Sequence, residues 1–211
     1  MLEDQNLVVN QFFTLWAVLD PIGHLPLFLG ATGDLTARDR RRAAILGVLI
    51  AFVILVAFGI AGQVLLEAMG ISLKAFQIAG GIILLLFALR MVLGDSGPAA
   101  KAAADAPDGV MAVAIYPLAT PIIAGPGSML AVILLTDNNR FTFVQQAETL
   151  GVLAVVLCAM TVIFLLGDAI ARVIGHGGTN VLRRIMGMIL AALSVNMITN
   201  ALSAWLSLPP I

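Results

Sequence analysis

Asp20-Pro21-Ile22-Gly23-His24-Leu25-Pro26 sits inside an otherwise apolar stretch, and Thr120-Pro121-Ile122-Ile123-Ala124-Gly125-Pro126-Gly127 repeats its Pro-x4-Pro spacing in the second half of the chain. Proline lacks a backbone N–H and clashes with the carbonyl four residues earlier, and glycine reaches conformations closed to other residues. Each stretch is therefore expected to interrupt its helix. Broken backbone survives at membrane depth only where protein or a wet cavity satisfies its polar groups. A pair of Gly/Pro-interrupted segments at matching positions in two halves points to a solute site between them.

Outward from these breaks, the chain reads as membrane-embedded. Hydrophobic residues make up 61%, charged residues 11%, and mean hydropathy is +1.06, a balance that a soluble domain of this size does not need. Stretches long enough to cross about 30 Å of hydrocarbon are drawn at residues 7–32, 43–66, 73–92, 110–136, 147–170 and 181–206. The expected fold is all-α, six transmembrane helices with the first and fourth broken. Glu3 and Asp4 stand where a signal peptide carries basic residues, so the first span is expected to stay as a helix. The formal net charge of -1 gives no footprint for nucleic acid, and the single Cys158 can close no internal disulfide.

Basic residues collect at the cytoplasmic ends of spans. Arg38, Arg40, Arg41, Arg42, Arg90, Lys101, Arg172, Arg183 and Arg184 fall in alternate loops, against Lys74 and Arg140 in the others. Both termini are thus expected outside the cytoplasm, in a bacterial inner (plasma) membrane. The arginine cluster at 38–42 sets topology, with lipid headgroup contact as a secondary role.

The halves can be laid over one another. Pro21, Ile22 and Pro26 match Pro121, Ile122 and Pro126; Leu46-Gly47-Val48-Leu49 matches Leu150-Gly151-Val152-Leu153. Gly62 through Gly70 keeps the glycine spacing of Gly167 through Gly175, and Gly81-Ile82-Ile83-Leu84 parallels Gly187-Met188-Ile189-Leu190. Three spans per copy force the second copy to enter the membrane upside down, an inverted repeat. The expected organisation is a three-helix repeat over residues 1–93, a cytoplasmic linker over 94–109 rich in Ala, Asp, Gly and Pro, and an inverted repeat over 110–211.

The chain resembles the MarC family, also called the neutral amino-acid transporter family. The resemblance lies in Asp20-Pro21-Ile22-Gly23-x2-Pro26-Leu27-Phe28, Gly70-Ile71-Ser72-x4-Gln77-Ile78-Ala79-Gly80-Gly81 and Pro117-Leu118-Ala119-x-Pro121-x3-Gly125-Pro126-Gly127. It implies six helices in two inverted halves and proton-linked movement of small neutral amino acids such as glycine and alanine. The family pattern takes Asp or Asn at the first motif position, which here is Asp20.

The residues themselves suit a small zwitterionic amino acid as cargo. A broken helix leaves free amides at one half-helix and free carbonyls at the other; amides attract a carboxylate and carbonyls an ammonium. Asp20-Pro21 and Thr120-Pro121 read as N-caps followed by proline at the first helical position. With Asp20 occupying the amides of its own helix, those around Gly125, Gly127 and Ser128 become the carboxylate site. The candidate substrate-binding set is Asp20, Pro21, Ile22, Gly23, His24, Pro26, Thr120, Pro121, Gly125, Pro126, Gly127 and Ser128. Asp20 and His24 are also the candidates for a proton path; capping without proton transfer fits Asp20 as well as coupling does, and for His24 a capping or lining role is the favoured reading. Gln77, Thr161, Ser194, Asn196, Thr199 and Asn200 either line the cavity or glue helices together. No catalytic residue, metal ligand or cofactor is expected: there is no HExxH and no pair of buried carboxylates. The partners expected are the amino acid, a proton and the lipid bilayer, with no nucleic acid. The alternatives are a transporter of cations or other small solutes, or a non-transporting assembly or sensory protein.

Overall fold

The structure is a computed structural model that describes residues 2–93, 109–137 and 140–207, without the side chains of 2–6, 91, 168, 170–180, 182, 183 and 186. Helix α1 (Leu2–Leu19) ends where Asp20 takes a positive φ of 36°, donates its amide to the Trp16 carbonyl at 2.8 Å and leads into Pro21. A short polar side chain tolerates the left-handed region better than most, and the following proline cannot continue the helix. After one turn, α2 (His24–Ala31) resumes and is closed by Thr32. The axis bends by 41° across this break.

Helix α3 (Ala37–Ala68) opens on Thr36, whose hydroxyl accepts from the Asp39 amide at 3.2 Å. It stops at Gly70, which has φ +65° and lets the Gly70 and Ile71 amides reach the Glu67 and Leu66 carbonyls. Helix α4 (Leu73–Leu93) follows. The linker expected over 94–109 lies outside the described residues except for Gly109, which already begins α5 (Gly109–Val113). A widened helical stretch, Ala114–Ile123, continues α5 and is interrupted at Tyr116 and Thr120. Both stand before a proline and are extended, the conformation that a following proline ring enforces. Helix α6 (Pro126–Leu135) leaves at 60° to this stretch. The expected interruptions of the first and fourth spans are therefore present.

Helix α7 (Phe143–Leu206) begins with a capping box between Thr142 and Gln145 and contains two membrane-length apolar windows, Phe143–Gly167 and Gly187–Leu206. Here the structure departs from the expected loop between spans 147–170 and 181–206, because helical hydrogen bonding continues through it. No proline occurs between Pro126 and Pro209, and the glycines of this region permit helix even while weakening it. A straight helix would hold residues 150 and 197 about 70 Å apart at roughly 1.5 Å per residue. Yet α6, ten residues long, reaches both windows: a Cβ on Gly127 would lie 3.8 Å from Met197, and one on Gly59 would touch Val132 of α6 and Leu150 together. The chain therefore turns back between its windows, which lie side by side. Among the described residues four helical segments are long and apolar enough to cross a membrane, and counting each bent pair as one span gives up to six.

Three packings organise the bundle. The first bent span runs parallel to the first window: Val8 and Phe12 stand opposite Gly151 and Val152, and Phe28 stacks on Phe164 with centroids 4.5 Å apart. The second bent span runs parallel to α3, with Gly47 under Leu118, and Gly59 and Gly62 under Val132 and Ile133. Helix α4 runs antiparallel to the last window, where Lys74 donates to the Ala204 carbonyl, Gln77 to that of Met197, and Gly81 packs on Ser194 and Ile198. Glycine at such positions lets helices approach closely. The bent spans also touch each other, α1 against α6 and α2 against the Ala114–Ile123 stretch. The core between them holds Leu15, Leu19, Phe28, Leu118, Ile123 and Val132, all but fully buried.

Candidate functional site

At the first break, Asp20 accepts from the Gly23 amide through Oδ1 at 3.0 Å, and its carbonyl accepts from the His24 amide at 3.0 Å. These two bonds close the Pro21–Gly23 turn that leads into α2. The N-cap position of α2 itself is held by Gly23 with no side-chain cap, so Asp20 stabilises the preceding turn and does not cap the inner helix, contrary to the expectation from the sequence. His24 Nδ1 donates to the same Asp20 carbonyl at 2.9 Å. A carbonyl can only accept, so this contact places a proton on Nδ1. A Cβ on Gly23 would run into the Asp20 carboxylate, which would have to swing away from its bond to the Gly23 amide. Pro26 sits in the first turn of α2, where its missing N–H costs no helical bond. Pro21 is buried, while Asp20, Ile22 and Gly23 face outward.

The second break is built differently. Thr120 does not cap the inner helix. It is extended and its hydroxyl donates back to the Ile115 carbonyl at 3.4 Å, while Gly125 holds the N-cap position and Pro126 the first helical position. The cause is the second proline. Pro126, not Pro121, starts the helix, and Ala124 and Gly125 connect it to the end of the Ala114–Ile123 stretch. Ser128 Oγ donates within this bend, lying 2.7 Å from the Ile123 carbonyl and 2.9 Å from that of Gly125, so its hydroxyl ties the break together. The first α6 amide to bond back is Met129, to the Gly125 carbonyl at 2.9 Å. Pro126 has no N–H, which leaves the Gly127 and Ser128 amides at the helix start free of intrahelical acceptors. Gly125 and Ser128 are buried.

No hydrogen bond among the described residues joins the two breaks; they are brought together by the crossing of the bent spans. Gly125 has φ -85°, so its glycine is needed for space and not for backbone angle: a Cβ would lie 2.6 Å from the Pro121 carbonyl. Beside Gly127 there is room, the Met197 methyl at 3.8 Å being the nearest neighbour of a Cβ built there. Gly80 is a site residue beyond the candidate set. A Cβ on it would run into the Pro126 ring, so α4 holds the start of α6 in place through this glycine. The Gly80-Gly81 pair on an apolar helix is the trace it leaves in the sequence. Of the polar residues assigned to lining or glue, Gln77 bridges helices, whereas Thr161, Ser194 and Thr199 bond to carbonyls of their own helix.

Residues 5–206 match the MarC family of integral membrane proteins. The chain belongs to that family. A UPF0056 membrane protein of Methanocaldococcus jannaschii is 34% identical over 207 residues, covering 94% of this chain and 97% of the relative. The UPF0056 membrane protein YvbG of Bacillus subtilis is 32% identical, covering 92% of each chain, and one from Aquifex aeolicus is 32% identical, covering 93% and 92%. No solved structure matches. The chain is thus a multi-pass integral membrane protein, with relatives in bacteria and archaea.

Proposed function

We propose that this chain is a secondary transporter that carries small neutral amino acids, glycine and alanine in size, through a bacterial plasma membrane by alternating access around its two breaks. The observation that carries the reading is the start of α6, where two amides without intrahelical acceptors lie in a buried bend and Gly127 keeps the space beside them open. Such a helix N-terminus attracts a carboxylate. Little side-chain volume accompanies it, which suits small cargo. The ammonium would face the carbonyl ends of the outer half-helices and the Asp20 carboxylate.

The packing supports two halves related by an inverted repeat. Gly62 and Gly167 match in the sequence, and each packs beneath the second half of the other half's bent span, Ile133 for Gly62 and Leu25, Leu29 and Phe28 for Gly167. Contacts of α1 with α6 and of α2 with the Ala114–Ile123 stretch exchange under the same relation. Proton coupling through Asp20 or His24 belongs to this proposal: Asp20 closes the turn before α2, and its carboxylate can still bind a proton or the ammonium when the halves move. The test is ligand-induced thermal stabilisation of the purified protein. Glycine and alanine are expected to raise the unfolding temperature, and leucine and phenylalanine are not. A response to divalent cations alone would replace this reading by cation transport, and no response to either would favour an assembly or sensory role.

A further inference from the structure

Gln11 lies on α1 and is 1% exposed, yet both ends of its amide, Oε1 and Nε2, lack a hydrogen-bond partner among the described residues. A buried amide with neither end paired is costly, by several kcal/mol at the upper range, and native interiors seldom tolerate it. Helical geometry places Gln11 on one stripe with Leu15 and Leu19, four residues apart, and that stripe descends to Asp20. Val8 and Phe12 on its flank face α7. Gln11 stands on the opposite flank, and α6 is the other helix against which α1 packs. It therefore lies about 13 Å above the first break at roughly 1.5 Å per residue, along the helix whose start holds the free amides.

The other flank of α1 is loosely seated. A groove of about 630 Å³ separates it from α7, lined by Val8, Phe12, Phe13, Glu148, Gly151 and Val155 among others. Gly151 has no atom within 4 Å of a built Cβ, whereas a Cβ on Gly47, its match in the first half, would fall 2.5 Å from Leu118, leaving no room there. Phe13, Gly151 and Val155 are exposed, so this groove opens on the outer face of the bundle, and Gln11 lies on the flank toward the seam between α1 and α6.

We propose that Gln11 lines the hydrated path from the non-cytoplasmic side to the breaks, where its amide offers one donor face and one acceptor to water or to a polar solute entering the seam. The nature of the solute rests on the transporter reading; the hydration of Gln11 does not. The test uses Gln11→Cys in a Cys158→Ser background, which leaves a single thiol because the chain has one cysteine. Reconstituted protein is treated with a charged, membrane-impermeant methanethiosulfonate and read by intact mass. Val132→Cys, at a fully buried position of α6, is the control. Labelling of position 11 at least tenfold faster than position 132 is expected, and equal inertness of the two would overturn the proposal. Should Gln11→Cys fail to fold, hydroxyl-radical footprinting of the unaltered chain decides the same point: oxidation of Leu15 supports a hydrated seam, and a protected Leu15 refutes it. Saturating glycine is expected to slow labelling of position 11. If labelling proceeds but wild-type protein binds no neutral amino acid, the path stands and the amino-acid cargo falls.

Discussion

Two alanine substitutions two residues apart separate the structural role of the second break from its proposed binding role. In Gly125→Ala the new Cβ meets the Pro121 carbonyl at 2.6 Å. That oxygen is backbone, fixed by the bend itself, so N-cap and bend must spread by several tenths of an ångström. Overpacking of this kind costs about 1–3 kcal/mol. In Gly127→Ala the nearest atom is the Met197 methyl at 3.8 Å, an ordinary contact, and alanine is the better helix former by up to about 1 kcal/mol. Gly127→Ala is therefore expected to unfold at or above the wild-type temperature, and Gly125→Ala several degrees below it. Binding should show the reverse discrimination. The Gly127 methyl stands beside the free amides, and losing one hydrogen bond to a charged carboxylate, about 1.5–3 kcal/mol, weakens glycine binding about tenfold or more. The assay is thermal unfolding of monodisperse protein with and without glycine, followed by calorimetric titration. A Gly127→Ala protein that is stable and binds glycine as tightly as wild type refutes a carboxylate site at the start of α6.

The remaining expectations follow from contacts on each side of the site. Asp20→Asn keeps the oxygen that accepts from the Gly23 amide and is expected to fold normally while losing uptake driven by a pH gradient in proteoliposomes; unchanged uptake removes Asp20 from the proton path, and Asp20→Ala should cost about 1 kcal/mol of stability through the lost hydrogen bond. Gly80→Ala forces a Cβ into the Pro126 ring and is expected to destabilise by about 1–3 kcal/mol, read as a lowered unfolding temperature. Reporter fusions at residue 100 should be cytoplasmic and at the C-terminus outside; a cytoplasmic C-terminus overturns both the orientation and the inverted halves.

The breaks themselves were legible because proline and glycine act locally. Pro21 and Pro121 remove donors whatever surrounds them, and the bends of 41° and 60° fall at the marked residues. The Asp20 side chain does bond locally, to Gly23 three residues away, but it closes the turn before α2, whose N-cap is Gly23, so the sequence placed the helix start three residues too early. Thr120 shows the limit. Two prolines compete to begin one helix there, and a local pattern does not say which of them wins; Pro126 does, held under Gly80 of a helix distant in sequence. After the fifth span the expected reversal of the chain is present, but its residues keep helical hydrogen bonding, because glycines weaken a helix without forbidding it.

Composition, the paired breaks and the span lengths follow from the sequence alone, because hydrophobicity and the chemistry of proline and glycine need no tertiary partner to act. The tertiary structure decided what the bundle does with them. It turned α7 back on itself, buried one break while leaving the other facing outward, set α6 between the two windows, and sealed Gln11 on a flank of α1 with its amide unpaired. Those outcomes depend on which helices meet, and in a chain so uniformly apolar many pairings bury similar surface. Close glycine contacts and hydrogen bonds between distant residues, as at Gly80, Gly62 and Gln77, distinguish among them.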